Sequence, residues 1–445
     1  MTKEGRFPPR VAVVGFGRTG RAVIRFLRAV SPTTNLLVSE SGMLSDADRE
    51  ELRNLGVQFE QEQHRASFLR SANLVILSPG VCPTIQPLRR IRELGVPVIS
   101  ELDLAAMTVD PDRIVAVTGT NGKTSTVELI SRLLQRAGYN AVTAGNIGTP
   151  VVELLIPPAR PAIFVVEASS FQLEQSVRFH PHVAVWLNLT PDHLTRHGSM
   201  AAYAEAKKRI FAHQRTGDFR IVPPELTGGI NQTGIHVELF QAARIPGAGT
   251  WPWIAKLPQH MRHNLAAAVT ACHAVDPEFQ VANADESIVR AVTKLPYRMQ
   301  ALPPIDGVDV INDSKSTNAG STIAAAATVI RPVVVMLGGR EKRGGYDELF
   351  TQLRARGDAL RELVLFGEAG PAFAEMSAAA GIAPSRLTLA DSLPDAVAAA
   401  LVAAQAGDVI LFSPGCSSFD HFRDYLHRGD EFTKLIDDRR GTVPH

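Results

Sequence analysis

Cysteine is scarce in this sequence: the 445 residues contain only Cys82, Cys272 and Cys416. An odd set spread this widely forms neither a disulfide framework nor a zinc-binding cluster, so we expect a reducing, cytoplasmic location. Long hydrophobic runs are also missing. The first apolar run, residues 11–14, follows a polar start and is far shorter than the roughly 20 residues of a membrane-spanning helix. We therefore expect no signal peptide and no membrane insertion.

An excess of charge of either sign is absent too. Lysine and arginine total 46 against 45 aspartates and glutamates, which gives a net charge of +1. This balance argues against a nucleic-acid-binding surface and against an anionic membrane target. With 45% hydrophobic residues, the chain has the composition of a globular protein and the length of about two to four domains. A monomer is the simplest expectation.

The most informative stretch is Thr118-Gly-Thr-Asn-Gly-Lys-Thr124. It follows a β-branched run at residues 114–117 and precedes a segment with helical periodicity. Strand, glycine loop and helix form a cradle for phosphate, in which backbone N–H groups and the helix N-terminus face the anion. Lys123 is placed to reach the β- and γ-phosphates, and Thr124 to bind Mg²⁺. Val117 occupies the position of the first glycine in the common phosphate-loop pattern, so this loop is a shorter form.

A second glycine turn, Gly15-Phe-Gly-Arg-Thr-Gly20, follows the strand-like run at residues 11–14. Glu40 closes the next strand-like run. This arrangement is typical of a dinucleotide-binding unit, with the diphosphate on the turn and the acid on a ribose hydroxyl. The pattern alone is weak, because many such turns only pack a helix closely on a strand.

Three strand-like runs in the middle of the chain end in polar side chains. The phosphate loop follows the first run, Glu167 ends the second, and Asp192-His193 comes shortly after the third. Ligands bind at the carboxyl ends of strands in an open α/β sheet, so we expect a ligand site here. An acid that closes a neighbouring strand commonly holds Mg²⁺ in phosphate-loop enzymes.

The last third of the chain repeats the rhythm of a strand followed by a polar or glycine loop. Residues 308–312 lead into the polar loop Asp313-Ser-Lys-Ser-Thr317, and a later apolar run ends in Gly-Gly at residues 338–339. This rhythm predicts a second Rossmann-like sheet with a ligand site. Residues 218–253 show no clear period and receive no assignment.

Together these motifs resemble those of the Mur ligases, the ATP-dependent amide-forming enzymes of peptidoglycan precursor synthesis. The match runs over the whole chain. The segments that resemble the central domain of the family are Thr118–Thr124, Asn146–Gly148, Glu167–Gln172, Asn188–His193 and His263–Asn264. Three further features are similar to the branch that adds D-glutamate to UDP-N-acetylmuramoyl-L-alanine: Asn312–Thr322, Gly338-Gly339 with Lys342, and Ser413–Asp420.

The resemblance implies an α/β fold of three domains. A Rossmann-like N-terminal domain at residues 1–105 binds the UDP-sugar. A central ATPase-type domain with a parallel sheet at residues 106–297 binds ATP. A Rossmann-like C-terminal domain at residues 298–445 brings the amino acid and closes over ATP. The first glycine turn then faces a uridine nucleotide rather than NAD.

The resemblance also implies a role for individual residues. The expected catalytic residues are Lys123, Asn146, Glu167, His193 and Lys207. ATP is expected to bind Gly119, Thr120, Asn121, Gly122, Lys123, Thr124, Ser125, Asn264, Arg298 and Asp313. The UDP-sugar is expected at Arg18, Thr19, Ser78, Pro79 and Gly80. The amino acid is expected at Lys315, Thr317, Lys342, Ser418 and Phe419.

Two Mg²⁺ ions are expected with ATP. By resemblance, Thr124 and Glu167 hold one ion, and Glu167, His193 and Lys207 serve the other. Mg²⁺ prefers oxygen ligands, and a lysine ammonium is a poor one. The resemblance therefore implies that Lys207 is carbamylated by CO₂, with the adjacent Lys208 as the rival position.

Some residues depart from the family pattern: Ala267 stands where many members have a second asparagine, Tyr425 where phenylalanine is usual, and Arg343 follows Lys342 where a glycine is usual. The nearest alternative is a related Mur-type or folylpolyglutamate-type ligase that uses another acceptor or L-glutamate. An NAD(P)-dependent dehydrogenase built on the first glycine turn is a second class. A regulatory nucleotide-binding protein is a third, although the intact Lys123, Glu167 and His193 argue against it.

Overall fold

The computed structural model describes residues 7–157, 161–245, 253–280, 286–293, 295–342 and 344–441. The polar start at residues 1–6 and part of the unassigned segment, residues 246–252, lie outside that description. The chain divides into two compact units. The first contains residues 1–188 and 204–285, and the second contains residues 189–203 and 286–445.

The N-terminal sheet of the first unit has five parallel strands in the order β3-β2-β1-β4-β5. Its strands are β1 (Arg10–Val14), β2 (Asn35–Ser39), β3 (Gln58–Glu60), β4 (Leu74–Leu77) and β5 (Val98–Ser100). Its helices are α1 (Arg18–Val30), α2 (Asp46–Asn54), α3 (Ala66–Leu69), α4 (Gln86–Glu93) and α5 (Glu101–Ala106). The strands are buried apolar runs such as Leu-Val-Ile-Leu in β4, which is the usual composition of a parallel sheet covered on both faces.

The central sheet has six parallel strands in the order β11-β10-β9-β6-β8-β7. They are β6 (Ile114–Thr118), β7 (Ala141–Gly145), β8 (Ile163–Glu167), β9 (Val183–Trp186), β10 (Phe219–Val222) and β11 (His236–Leu239). The helices of this part of the chain are α6 (Lys123–Arg136), α7 (Ser170–Glu174), α8 (Leu194–His197), α9 (Met200–Lys208) and α10 (Gln259–Val275). Strands β9, β6 and β8 are neighbours, so the three runs that end in polar side chains lie side by side.

The third sheet, in the second unit, has the order β12-β13-β17-β14-β15-β16. Only the β12–β13 pair is antiparallel among the described strands. The strands are β12 (Gln300–Ile305), β13 (Val308–Asn312), β14 (Val333–Gly338), β15 (Leu360–Phe366), β16 (Leu387–Leu389) and β17 (Val409–Gly415). The helices are α11 (Glu286–Thr293), α12 (Ala319–Thr328), α13 (Tyr346–Ala355), α14 (Gly370–Ala379), α15 (Leu393–Ala403) and α16 (Tyr425–Gly441).

Both faces of the third sheet are buried, as β14 shows. Val333, Val335 and Leu337 join one hydrophobic cluster, and Val334 and Met336 join another. Successive side chains of a strand point to opposite faces, so an uninterrupted apolar strand indicates helices on both sides. The three domains of parallel α/β type agree with the expected fold class.

A buried carboxylate joins the N-terminal sheet to the central part of the first unit. Asp103, on α5, accepts hydrogen bonds from Ser176 Oγ at 2.7 Å and from the backbone N–H groups of Val177 and Arg178 at 3.0 and 2.7 Å. These three donors, together with the backbone N–H of Ser100 at 2.9 Å, satisfy a carboxylate that is fully inaccessible to solvent. The two sheets are thereby fixed to one another within this unit.

The unassigned segment at residues 218–253 contains two strands, β10 and β11, which extend the central sheet in parallel. Each has four residues, and β11 lies at the exposed edge. Neither strand is long enough to show a hydrophobic period of its own, which is why sequence analysis did not predict them. No helix in the described residues combines the length and apolar character needed to cross a membrane.

Candidate active site

The phosphate loop connects β6, which is buried along its whole length, to α6, which begins at Lys123. Gly122 has φ +86°, a left-handed conformation that is open to glycine. A Cβ atom at Gly122 would lie 2.4 Å from Oδ1 of Asn264. The loop therefore needs glycine here both for its backbone angle and for the close approach of Asn264, a predicted ATP contact.

Lys123 folds back along the loop that precedes it. Its Nζ donates to the carbonyl oxygens of Gly119 at 2.9 Å and of Thr120 at 2.8 Å. The ammonium thus lies directly over the loop at the amino end of α6. A cation and the positive end of a helix dipole at one place favour a bound anion.

Glu167, at the end of β8, is the carboxylate nearest to this loop in the described contacts. It is 1% exposed and accepts hydrogen bonds from Thr124 Oγ1 at 2.9 Å and from Asn146 Nδ2 at 2.8 Å. Three residues that the sequence predicts to be catalytic or metal-binding therefore converge. Ser125, also predicted to contact ATP, has a fully buried hydroxyl with no hydrogen-bond partner in the described part of the chain.

Asn188 braces the phosphate loop, a role that the sequence prediction missed. Its Oδ1 accepts from the backbone N–H groups of Thr120 at 3.0 Å and Asn121 at 2.9 Å, and its Nδ2 donates to Asn121 O at 3.0 Å. The available signal was its position just after β9, the neighbour of β6.

Lys207 and Lys208 are adjacent in sequence but occupy different surroundings. Lys207 is 1% exposed, and its Nζ donates to Gly119 O at 2.6 Å, beside the phosphate loop. Lys208 is half-buried, and its Nζ lies near Gly229 instead. A lysine amine buried this deeply beside a phosphate loop is unusual, because desolvation penalises its charged form.

The first glycine turn is occupied by a side chain of its own domain. Glu40 accepts from the backbone N–H groups of Phe16 at 2.6 Å and Gly42 at 3.0 Å. Partial burial tends to raise the pKa of Glu40, but these hydrogen bonds outweigh it and hold the pKa below its usual value. Both carboxylate oxygens are therefore engaged by backbone. This disfavours the dinucleotide interpretation, in which the same acid would bind a ribose.

The predicted UDP-sugar residues lie at two adjacent turns, after β1 and after β4. Arg18 and Thr19 begin α1, while Ser78, Pro79 and Gly80 follow β4. Ser78 Oγ donates to Gly15 O at 2.8 Å and ties the two turns together. Arg18 reaches the central domain, where its Nη2 donates to Asn146 O at 3.0 Å. A chain of contacts thus runs from the first glycine turn through Asn146 to Glu167.

In the second unit, Lys342 lies among oxygen atoms. Its Nζ is 3.3 Å from Thr317 Oγ1 and 3.5 Å from a carboxylate oxygen of Asp192. Asp192 also accepts from Asn318 Nδ2 at 3.0 Å and from the backbone N–H of His193 at 2.8 Å. The loop that carries Asp192 and His193 follows β9 in the chain, but it packs with the second unit.

Three loops of the second unit meet at the carboxyl ends of β13, β14 and β17, which are neighbours. Gly415 N donates to Ser316 O at 3.0 Å, and Arg340 N donates to Ser417 O at 2.8 Å. Lys315 Nζ lies 4.0 Å from the ring centroid of Tyr425, within cation–π range. These contacts bring together the loops that carry the predicted amino-acid residues Lys315, Thr317, Lys342, Ser418 and Phe419. Ser418 itself is buried, whereas Phe419 is 62% exposed.

Asp313 is buried beneath one of these loops. Its carboxylate accepts from Met299 N at 3.0 Å, Ser316 Oγ at 2.5 Å and Ser413 Oγ at 2.8 Å. Burial raises the pKa of Asp313 above its usual value, although these hydrogen bonds oppose the rise. The residue therefore fixes the loop as well as being a predicted ATP contact.

A buried arginine that sequence analysis did not predict to be functional links two of the loops. Arg428 is fully buried, and its guanidinium donates to Ser314 O at 2.8 Å, Ser314 Oγ at 3.1 Å and Cys416 O at 3.0 Å. Burial lowers the pKa of Arg428 to about 10. Ser314 is 114 positions away in the sequence, and Cys416 is 12 positions away. Local sequence patterns therefore do not predict these contacts.

The described residues contain no group of three or more His, Cys, Asp and Glu side chains that could hold a metal ion. Two of the predicted Mg²⁺ ligands of the first unit, the Thr124 hydroxyl and the Glu167 carboxylate, are hydrogen-bonded to each other. Mg²⁺ commonly binds one or two protein oxygens and keeps several waters. One hydroxyl and one carboxylate therefore suit a Mg²⁺ ion that keeps several of its waters.

Family models match three successive parts of the chain. The model of the MurD-like N-terminal domain of Mur ligases matches residues 9–100, the Mur ligase middle domain matches residues 117–230, and the Mur ligase glutamate ligase domain matches residues 297–416. A protein of Pelotomaculum thermopropionicum named "UDP-N-acetylmuramoylalanine--D-glutamate ligase" is 34% identical over 453 residues, covering 96% of this chain and 97% of that relative.

The chain belongs to the Mur ligase family. A second relative with the same name, from Syntrophus aciditrophicus, is 36% identical over 96% of this chain and 97% of its own length. Among solved structures, MurC of Thermotoga maritima matches 97% of this chain and 99% of its own with a TM-score of 0.55 and 18% identity. MurF of the same organism, solved with ADP, matches 91% and 96% with a TM-score of 0.55 and 15% identity. At these identities the two structures show the Mur ligase fold alone.

Proposed function

We propose that this Mur ligase adds D-glutamate to UDP-N-acetylmuramoyl-L-alanine with ATP, giving ADP and phosphate, in peptidoglycan precursor synthesis. The hydrogen bonds of Thr124 and Asn146 to Glu167 at the end of β8, beside the phosphate loop over which Lys123 lies, are the observation that carries the proposal. The names of the relatives, each aligned over nearly the whole chain, support the substrate assignment.

The reaction follows from the weakness of a carboxylate as an electrophile. A carboxylate oxygen of the UDP-sugar substrate attacks the γ-phosphorus of ATP, which yields an acyl phosphate and ADP. The glutamate amine then attacks the acyl carbon, and phosphate leaves with the original carboxylate oxygen as the amide forms. Phosphoryl transfer of this kind is catalysed mainly by alignment and by neutralising charge. Lys123 and the glycine loop provide both in the first unit.

Mg²⁺ bound with ATP would neutralise charge on the phosphates. By resemblance to the family, Thr124 and Glu167 would hold one ion, and Glu167, His193 and a carbamylated Lys207 would hold a second; oxygen donors suit Mg²⁺. Asn146 orients Glu167 through its amide and lies next to Arg18, at the UDP-sugar turn.

Carbamylation of Lys207 is supported by its burial beside Gly119 O. A carbamate replaces the buried ammonium with oxygen atoms, which suit Mg²⁺. Lys208 provides a matched control, because its Nζ is directed to another part of the fold. We expect Lys207→Ala to lower kcat by about 10²-fold or more, and Lys208→Ala to change it less than about threefold. Short carboxylates such as formate should partly restore Lys207→Ala. Equal loss in both variants, with no rescue, would reject the assignment.

We assign the remaining contacts by resemblance to the Mur ligase family. The turns that carry Arg18, Thr19, Ser78, Pro79 and Gly80 bind the UDP-sugar. Besides Lys123 and Thr124, the residues assigned to ATP are Gly119, Thr120, Asn121, Gly122, Ser125, Asn264, Arg298 and Asp313. Glutamate binds the loops with Lys315, Thr317, Lys342, Ser418 and Phe419. The ion pair of Lys342 with the Asp192 carboxylate supports this, because an ammonium that pairs with one carboxylate in the loop can also donate to a carboxylate of glutamate.

A direct assay tests the function. The full-length enzyme is incubated with ATP, Mg²⁺ and UDP-N-acetylmuramoyl-L-alanine, together with D-glutamate or with L-glutamate. We expect ADP and the new amide with D-glutamate only. A folylpolyglutamate-type ligase would instead use L-glutamate and a folate acceptor, and the names of the relatives do not favour it. Phosphate release without preference for either enantiomer would overturn the proposal.

We further infer that the enzyme acts as a monomer in the cytoplasm. The three free cysteines, Cys82, Cys272 and Cys416, suit a reducing compartment that contains ATP. Light scattering of the purified protein at working concentration tests the first point, and a mass near twice the 48.0 kDa of the chain would contradict it.

A further inference from the structure

Two residues that carry side chains have left-handed backbone angles on either side of Arg298. Tyr297 has φ +57° and Met299 has φ +45°. Such angles are uncommon for residues other than glycine and persist only where surrounding contacts enforce them. Arg298 is thus displayed by a strained turn between α11 and β12.

The turn is tied to the polar loop at residues 313–317. The backbone N–H of Lys315 donates to Tyr297 O at 2.9 Å, and the backbone N–H of Met299 donates to Asp313 Oδ1 at 3.0 Å. Arg298 is therefore held in fixed register with Asp313, the other second-unit residue assigned to the nucleotide.

The side chain of Tyr297 anchors the turn to α16. Its hydroxyl donates to the carboxylate of Asp430, and its ring lies against Gly429. The bond to Asp430 is also the largest cause of the rise in the pKa of Tyr297 to about 12, so the hydroxyl remains a donor at neutral pH.

Gly429 provides an independent sign that this contact matters. Glycine inside a helix is disfavoured relative to alanine, yet Gly429 lies in the second turn of α16. A Cβ atom at this position would be 2.3 Å from Cδ1 of Tyr297. The close approach of the tyrosine ring explains the glycine.

We propose that Tyr297 is a positioning residue for the nucleotide: its ring on Gly429 and its hydroxyl on Asp430 hold the strained turn that presents Arg298. This inference rests on the proposed function, in which Arg298 and Asp313 bind ATP. Tyr297 does not itself touch the reacting atoms. It acts by fixing an arginine that would otherwise have to be ordered when the nucleotide binds, a cost that lowers affinity.

The test compares two tyrosine-to-phenylalanine variants of the full chain. Tyr297→Phe removes the hydroxyl bond to Asp430. Tyr139→Phe is the matched control, because Tyr139 also bonds an aspartate, Asp276, at the far end of α6 from the phosphate loop. We expect Tyr297→Phe to raise the KM for ATP and the Kd for ADP by about tenfold, since a hydrogen bond to a charged group is lost. The KM values for UDP-N-acetylmuramoyl-L-alanine and glutamate should stay within about twofold, and Tyr139→Phe should match the wild type.

Three further variants keep the test decisive if Tyr297→Phe is poorly folded. Asp430→Asn retains an oxygen acceptor and should preserve ADP affinity, whereas Asp430→Ala should reproduce the loss. Gly429→Ala should raise the Kd for ADP although alanine favours a helix. Unchanged ADP affinity in Tyr297→Phe, or an equal rise of all three KM values, would overturn this inference alone. Failure of the wild-type enzyme to bind ADP would overturn the proposed function, and this inference with it.

Discussion

The two glycine turns of the first unit share one local structure and differ in what surrounds them. Each joins a buried parallel strand to a helix, at Gly15–Gly20 and at Thr118–Thr124. In the first turn the backbone N–H of Phe16 is taken by the carboxylate of Glu40. In the second, Asn188 braces the loop, Lys123 lies over it, and Thr124 donates to Glu167 at the end of β8. The turn supplies backbone geometry, and the neighbouring strands decide which ligand chemistry is present.

Of the substitutions in the two glycine turns, those of the cations Lys123 and Arg18 should differ most in their effect on kcat. Lys123→Ala removes the charge that neutralises the transferred phosphoryl group, and we expect kcat to fall by about 10³-fold or more with the fold intact. Arg18→Ala should leave kcat within about threefold and raise only the KM of the UDP-sugar substrate. Steady-state kinetics measure kcat and KM for both variants, and circular dichroism checks that each variant is folded. Near-normal turnover of Lys123→Ala would remove the distinction between the turns.

Substitution of one glycine in each turn, Gly122 and Gly20, should give effects of intermediate size. At Gly122 an added methyl group meets an unfavourable φ, which costs roughly 1–2 kcal/mol, and displaces Asn264. At Gly20 it would lie 2.0 Å from the backbone oxygen of Gly15, so the helix itself must shift. We expect Gly122→Ala to raise the KM for ATP about tenfold with a small fall in Tm. Gly20→Ala should lower Tm more and leave the KM for ATP nearly unchanged. The opposite pattern would show that the second glycine loop is not the nucleotide site.

Substitution of Glu40, the acid at the first turn, should give the smallest effect. This effect, on the free energy of unfolding, should depend on pH. The pKa of Glu40 is held below its usual value of 4.5 in the folded protein, so its contribution to stability is present above that pH and is lost as the pH falls through the folded pKa. Glu40→Gln should therefore lower the free energy of unfolding at pH 7 and converge with the wild type in more acidic solution. Urea titrations at several pH values test this. A constant difference down to pH 3 would contradict it.

The sequence predicted the phosphate-loop region well because its signals are local. The strand was expected at residues 114–117 and the helix from residue 125, and they were found at Ile114–Thr118 and Lys123–Arg136. Strand β12 was missed because it contains Pro303 and Pro304. Prolines are tolerated there because β12 is an edge strand with an irregular register between Leu302 and Ile305.

The site of the second unit was predictable in composition but not in arrangement. The polar loop at residues 313–317 was recognised, yet the contacts that fix it come from distant residues. Asn318 and Asp192 are 126 positions apart, and Arg428 and Ser314 are 114 apart. No period or spacing in one sequence reports such contacts, because they are made only when the sheet brings loops from different strands to one edge.

Oxygen transfer from the substrate carboxylate to phosphate tests the central claim most directly. The enzyme is supplied with ATP, Mg²⁺, D-glutamate and UDP-N-acetylmuramoyl-L-alanine labelled with ¹⁸O in the alanine carboxylate, and the released phosphate is examined by mass spectrometry. We predict one ¹⁸O atom in each phosphate, in step with amide formation, and no phosphate above background from Lys123→Ala. Unlabelled phosphate would mean that water, not the carboxylate, attacks ATP, and would contradict the account of the phosphate loop.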